Sequence, residues 1–469
     1  MEHPPKATRA CEMAGLIGAG PLGGKAEYRA FYLSEGASAL EEPGTFAIPS
    51  MPRFSAIFAP SGPLLKGDWL TAERIRRIGT IFALLALLVV GGDAWLHTSH
   101  GVTNADGEQL GRDFVNYWAG AHLAADGQAA RAYNLHDFLD YERSQTAANA
   151  HVKWYSYPPP ALMLSLPLAS MPFVPALLFW LLSGIAICAA LLARTLGWHL
   201  ALLAASATPA SLVNALWGQN GQFSAALLCG GFLFLESHPW LAGLLFGMLC
   251  YKPHLAVLVP VALACGGYWR AFLAAGIASL AICGGAFLLG PDVWAAFLKS
   301  APLNASILEV GDSMWHRMPT AFAAIRLAGG SIGAAYAAQL LSALVALVMV
   351  MKIWRSGATL AVKASATIAG TFMVTPYAWD YDQIALVFVA AWLAAEGIRD
   401  GFRPGEKIVL ALNIAAPLIY SPLAAATHIQ VGPLALWLLL ALIARRALDT
   451  GDQQDQHRQA RTLPLSRMA

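Results

Sequence analysis

The sequence predicts an all-α, polytopic membrane protein, and three observations carry that expectation. Only 12% of the 469 residues are charged while 57% are hydrophobic, and mean hydropathy is +0.53. A soluble domain has roughly a quarter charged residues with which to cover its surface. About a dozen apolar runs follow one another along the chain, separated by polar joints. Basic residues recur at alternate joints, the pattern of cytoplasmic helix ends. Length therefore counts spans rather than globular domains. The net charge of +2 is too small to indicate a nucleic-acid partner. Five of the six cysteines (Cys188, Cys229, Cys250, Cys265 and Cys283) lie in apolar stretches. There Cys acts as a small hydrophobe, so no disulfide framework is expected.

Residues 1–70 mix Gly, Pro, Ala and scattered charges without helical period. No basic start followed by a compact apolar run marks them as a secretory signal. They read as a disordered cytoplasmic tail, and Met51 would also serve as a start. Residues 71–446 then form the transmembrane domain, and 447–469 a second disordered cytoplasmic tail. The first span is IGTIFALLALLVVGGDAWL (78–96), and ERIRR (73–77) before it places that end in the cytoplasm. Residues 97–157 are therefore an extracytoplasmic first loop, with amphipathic helices expected at 113–126 and 135–148 and WYSYPPP (154–160) at its close.

Apolar runs follow at 172–194, 199–217, 221–236, 271–290, 331–353, 358–375, 383–398, 407–424 and 431–444. Between 240 and 267 lie two shorter runs broken by YKPH (251–254). Each would rise roughly 18 Å as a helix, short of the roughly 30 Å hydrocarbon core. Counting them as two helices puts Arg194, Arg270, Lys352/Arg355, Arg399/Arg403/Lys407 and Arg445-Arg446 all on the cytoplasmic side. The total is then about 12 transmembrane helices. With that topology four polar segments gather outside: the first loop, WGQNGQ (217–222), the loop 291–330 with MWHRMP (314–319), and TPYAWDYDQ (375–383).

Each segment has a structural and a chemical reading. Asp113 opens a helix with Asn116 and Tyr117 about one turn on. It either caps that helix and complements its dipole, or serves as a general base or charge partner in a cavity at the membrane surface. Trp154, Tyr155 and Tyr157 suit the interfacial aromatic belt or a wall against a ring-shaped or isoprenoid ligand. WGQNGQ is a tight turn, or brings Gln219 and Asn220 to sugar hydroxyls. Lys252, beside His254, either snorkels to an interface or meets a lipid phosphate as a point charge. His316 and Arg317 are a solvated loop pair or further phosphate partners. Asp380 and Asp382, at the end of a span, are either functional candidates by the cost of an acidic residue at membrane depth or sit in the aqueous interface at little cost. Trp118, Tyr157 and Trp379 offer faces on which a sugar stacks. No His-x-x-x-His, Cys-x-x-Cys, Walker or dinucleotide pattern occurs, and no metal and no cofactor are expected.

Taken in order, these segments resemble glycosyltransferase family 87, polytopic enzymes of the GT-C superfamily. The matching positions are Asp113-Phe114 with Tyr117-Trp118, then Gly127 and Tyr133, then Tyr157-Pro158-Pro159. Gly218-Gln219, Lys252-Pro253 and Thr375-Pro376-Tyr377 complete the set. The resemblance implies a GT-C-like fold in the inner (cytoplasmic) membrane, acting in the cell envelope with the active site on the extracytoplasmic face. It further implies transfer of a hexose, commonly mannose, from a polyprenyl-phosphate sugar donor to a glycan or glycolipid acceptor, with inversion and with Asp113 as general base. Mannosyltransferase members often carry Ser-Pro-x-x-Trp followed by His near the last motif, where this chain has Tyr381 and Asp382. Two other readings share the composition: a transporter or lipid-linked-glycan flippase, and an O-antigen ligase-like transferase using a diphosphate donor. Transporters of this size often carry internal repeats; none is visible between the two halves.

Overall fold

The computed structural model describes residues 66–462. Nearly all of the expected N-terminal tail, including Met51, lies outside the described residues. Among the described residues the chain is helical, with one isolated antiparallel bridge between Thr103 and Gln109.

Helix α1 (Ala72–Leu96) starts where the Thr71 hydroxyl accepts from the Arg74 amide. Then come α2 (Phe114–Ala125), a 3-10 turn at Ala129–Tyr133, and α3 (Leu135–Gln145), whose first amides are capped by Asn134. The short α4 (Pro160–Ser165) leads into α5 (Phe173–Leu196). The expected run at 199–217 is broken into α6 (Trp198–Ser206) and α7 (Pro209–Leu216), bent by 53°. Pro209 cannot continue the hydrogen-bonding ladder of α6, and Thr208 caps the new start instead. Helix α8 (Gly221–Phe234) precedes α9 (Pro239–Met248) and α10 (Val259–Gly266), which are joined by 3-10 turns at Leu249–Tyr251 and Pro253–Leu255. The rest of the chain is α11 (Trp269–Gly285), α12 (Val293–Val310), α13 (Asp312–Trp315), α14 (Ala321–Leu327), α15 (Ile332–Trp354), α16 (Leu360–Val374), α17 (Ile384–Asp400), α18 (Glu406–Thr427) and α19 (Gly432–Thr462).

Burial ranks these helices. In the apolar stretch that includes α17, 78% of the residues are buried inside the protein, against 6% in α1. Helix α17 therefore lies at the centre, packed on α8, α16 and α18, while α1 presents its Leu and Ile side chains outward, as a helix facing lipid does.

Among the described residues six helices are long and apolar enough to cross a membrane, and the bent pair α6–α7, counted as one span, makes a seventh. This differs from the expected twelve because several apolar runs fold as helices of 10–17 residues. A 14-residue helix rises only about 21 Å, so apolar character along the sequence does not by itself give the length to cross. Helix α2 also differs from expectation. It was to be amphipathic, yet ten of its twelve residues are buried, because α4 and the 3-10 turn at Leu166–Ser170 pack over it. Helix α3 keeps a buried face of Phe138, Leu139 and Glu142. The last helix runs past residue 446 to Thr462.

Candidate active site

Four helix ends meet around one turn. The C-termini of α1 and α7 and the N-termini of α8 and α17 converge on residues 217–221, and two glycines make the approach possible. Gly218 has φ +57°, and a Cβ there would lie 2.5 Å from the Phe114 Cβ. A Cβ on Gly221 would lie 2.2 Å from the Tyr381 carbonyl oxygen. The turn is thus clamped between the first loop and the segment before α17 by contacts that no side chain permits.

From this turn Gln219 reaches toward the first loop. Its amide nitrogen donates to Asp113 Oδ2 at 2.8 Å, and its amide oxygen accepts from the Tyr117 hydroxyl at 2.6 Å. The Tyr157 hydroxyl lies 2.6 Å from that of Tyr117 and 3.3 Å from the Gln219 oxygen. Burial, followed by the neighbouring phenol Tyr157, pushes the Tyr117 hydroxyl well above its ordinary range, and burial does the same to Tyr157. Both phenols stay protonated, so the chain of donors runs Tyr157 to Tyr117 to Gln219 to Asp113. The other oxygen of Asp113 stands 3.5 Å from Lys153 Nζ, which also lies 3.3 Å from Glu108. Burial opposes the Lys153 ammonium, but Asp113 and Glu108 outweigh it and hold the amine above its usual value. The Asp113 side chain remains 23% exposed. It does not cap α2: its backbone is already helical and its carboxylate bonds no N–H of that helix. The capping reading of Asp113 therefore gives way to a tertiary one.

The next residue of the turn points to a second carboxylate. Asn220 Oδ1 accepts from Lys252 Nζ at 2.9 Å, and Lys252 donates to Asp382 at 2.6 Å with both side chains at most 1% exposed. This corrects two expectations. Lys252 does not snorkel to an interface, and as placed it does not present its ammonium to a lipid phosphate, because the turn between α9 and α10 carries it inward. Arg317 grips Asp380 through Nε and Nη2 at 2.9 and 2.8 Å. Asp380 and Asp382 are thus buried partners in ion pairs, away from the aqueous interface.

Residues 155–376 match the family model of glycosyltransferase family 87. No curated protein and no solved structure matches the chain. Together with the apolar helices, the family match supports a membrane glycosyltransferase. The family-87 segment holds Tyr157, Gln219, Asn220, Lys252 and Arg317, while Asp113 and Lys153 precede it and Asp380 and Asp382 follow it.

The structure also shows what sequence reasoning missed. Trp217 has three cations near its ring: Arg317 at 3.8 Å, Arg112 at 5.3 Å and Lys153 at 6.0 Å from the centroid. Arg112 bonds Asp93 at the end of α1 through both terminal nitrogens, and the Leu216 carbonyl as well. It holds φ +38°, which is strained for a residue with a side chain. Neither Arg112 nor Lys153 belongs to a recognisable motif. Their one signal was position: one immediately before Asp113, the other immediately before WYSYPPP.

Other expected site residues lie elsewhere. Trp118 is buried and donates to the Met171 carbonyl, against Phe173. Asn116 is buried on α2 with its side-chain oxygen unpartnered among the described residues. His254 meets Tyr377 edge-on. Trp379 stacks parallel to Tyr381 with Arg317 5.6 Å from its ring, and His316 has its carbonyl held by Gln430. Tyr155 packs against Tyr133 and Phe138 inside the protein. Among the described residues, no three His, Cys, Asp or Glu side chains converge to hold a metal ion.

Proposed function

We propose that the protein is a membrane hexosyltransferase that takes its sugar from a polyprenyl-phosphate donor and uses Asp113 as general base. The setting of Asp113 carries the reading. Its carboxylate is fixed at one oxygen by Gln219, stands beside Lys153, and is accessible, whereas Asp380 and Asp382 are occupied by buried cations. A general base must come within hydrogen-bond reach of the proton it removes, and of these three only Asp113 is open to do so.

In the proposed reaction an acceptor hydroxyl gives its proton to Asp113 as its oxygen attacks the anomeric carbon. The bond from that carbon to the phosphate oxygen breaks on the opposite face. The polyprenyl phosphate leaves with the electron pair, and the configuration inverts. Negative charge grows on the phosphate as it departs, and Arg317 over Trp217, whose bonds to Asp380 use Nε and Nη2 and not Nη1, is the cation that meets it. Lys252 takes the structural part instead. Mannose is the proposed sugar, with a glycan or glycolipid acceptor at the extracytoplasmic face of the inner membrane.

The test uses full-length protein in nanodiscs, radiolabelled polyprenyl-phosphate mannose and an extract of membrane acceptors. Asp113→Asn is expected to lower transfer by about 10²–10⁴-fold, the usual contribution of a positioned base, with an unchanged melting temperature. Equal transfer by the folded variant removes Asp113 as the base. Transfer only from a diphosphate donor overturns the donor assignment, and transfer from neither donor overturns the reaction.

A further inference from the structure

We propose that Cys250 and Cys283 are a disulfide-forming pair that locks the turn carrying Lys252 to helix α11. The inference rests on how α9 and α11 pack. A Cβ on Gly243 would lie 2.4 Å from the Ala274 Cβ and 2.5 Å from the Ala271 carbonyl oxygen. One turn later, a Cβ on Gly247 would lie 2.5 Å from the Ala278 Cβ and 2.7 Å from the Ala275 carbonyl. Both numbers advance together, so the two helices run parallel with their backbones in contact, as small residues four apart allow. The Ser279 hydroxyl closes the register on the Gly247 carbonyl at 3.2 Å. The next step along the same register brings the 3-10 turn at Leu249–Tyr251 against α11, which sets Cys250 beside Cys283.

A disulfide needs Cα atoms about 4.4–6.8 Å apart and facing Cβ vectors, a demand that helices in backbone contact can meet. Both thiols are only partly buried inside the protein. Cys188 and Cys229 differ: both are fully buried and donate to the Gln222 and Ala385 carbonyls. The end of α11 is also fixed, because Trp294 donates to the Cys283 carbonyl at 3.1 Å. On the outward orientation proposed for the site, the pair faces an oxidising compartment. This departs from the sequence expectation that these cysteines only pack.

The oxidant is a disulfide, either a small molecule or an oxidised dithiol protein. One cysteine thiolate attacks it, forms a mixed disulfide and releases one thiol. The second cysteine then attacks the mixed disulfide, the Cys250–Cys283 bond forms, and a second thiol leaves. The two protons of the cysteines end on the two released thiols. The new bond would tether the chain two residues before Lys252 and next to Tyr251, whose hydroxyl is 2.6 Å from that of Ser224.

The test treats reduced full-length protein in nanodiscs with oxidised glutathione, blocks remaining thiols with N-ethylmaleimide and maps the peptides by mass spectrometry. A peptide linking residues 250 and 283 is expected, released by dithiothreitol. Cys250→Ser and Cys283→Ser should each abolish it and leave the partner alkylated or glutathionylated. Alkylation of both cysteines in the oxidised wild type, or glutathione on either without the link, overturns the proposal whether or not the protein transfers sugar.

Discussion

Two Asp–Lys pairs hang from consecutive residues of one turn, and they differ in what they can do. Gln219 holds Asp113 beside Lys153, with the carboxylate 23% exposed and the lysine 3.5 Å away. Asn220 holds Lys252 against Asp382, with neither partner more than 1% exposed and the lysine at 2.6 Å. The residue types are the same and the turn is shared. Exposure and separation distinguish them: the loose, open pair leaves an accessible carboxylate, which the proposed reaction uses as its base, while the tight, sealed pair holds α9, α10 and the start of α17 to the turn. Acidic residues at membrane depth are functional candidates by default. Here cost marks position, and access separates chemistry from architecture.

The largest effect that would break this comparison is on stability. Asp382→Asn leaves Lys252 buried without a counter-charge, and breaking such a pair costs about 3–5 kcal/mol. A strongly lowered melting temperature in detergent is expected, with activity per folded molecule retained. Replacing both partners by apolar residues of similar size, Lys252→Met with Asp382→Leu, should recover most of the loss, since a buried pair is often matched by well-packed apolar side chains. If Asp382→Asn instead melts like wild type and loses transfer, the sealed pair is chemical and the comparison fails.

A smaller effect sharpens the open side. Gln219→Ala removes the donor to Asp113 Oδ2 and the acceptor for Tyr117. The carboxylate stays but is no longer aimed. A misplacement of about 1 Å can cost up to about 100-fold, so kcat should fall by about 10–100-fold with KM little changed. Steady-state kinetics decides it: a rise in KM at constant kcat would mean that Gln219 binds substrate, as the sequence alone had suggested for the WGQNGQ turn.

How much of this was legible follows from where information sits in a sequence. The expected helix at 113–126 appears as Phe114–Ala125, and the long spans appear near their expected bounds, because apolar period and flanking charges are local signals. The run at 221–236 was counted as a span, but its helix is only 14 residues long, because hydropathy does not measure helix length. Asp113, Gln219, Lys252, Arg317, Asp380 and Asp382 were all singled out, but not which of them pair with which. Gln219 and Asp113 are 106 residues apart, and Lys252 and Asp382 are 130 apart. Which helix ends meet is a tertiary fact, so Lys252 looked like a free cation for a phosphate. Lys153 and Arg112 gain meaning only beside Asp113 and Trp217. Gly243 and Gly247 were visible as small residues four apart, but what they allow depends on Ala274 and Ala278 across the contact.

A third carboxylate tests the comparison most gently. Glu142 on α3 is fully buried, and neither of its side-chain oxygens has a hydrogen-bond partner among the described residues. Burial raises its pKa well above the ordinary 4.5; Asp113 adds to the rise, and Lys153 and Arg143 oppose it. The folded protein therefore holds a proton on Glu142 that the unfolded chain loses near pH 4.5. With more protons bound in the folded state, stability falls as pH rises from 4.5 through the raised folded value. Each pKa unit of separation amounts to about 1.4 kcal/mol. Glu142→Gln cannot ionise, so its melting temperature should decline less than that of wild type across that window. Transfer at neutral pH should be unchanged, because Glu142 is as closed to substrate as Asp382. If the variant keeps the wild-type slope, another group carries the pH dependence. If it loses transfer instead, the open side of the site contains two carboxyl groups, and Asp113 passes its proton inward.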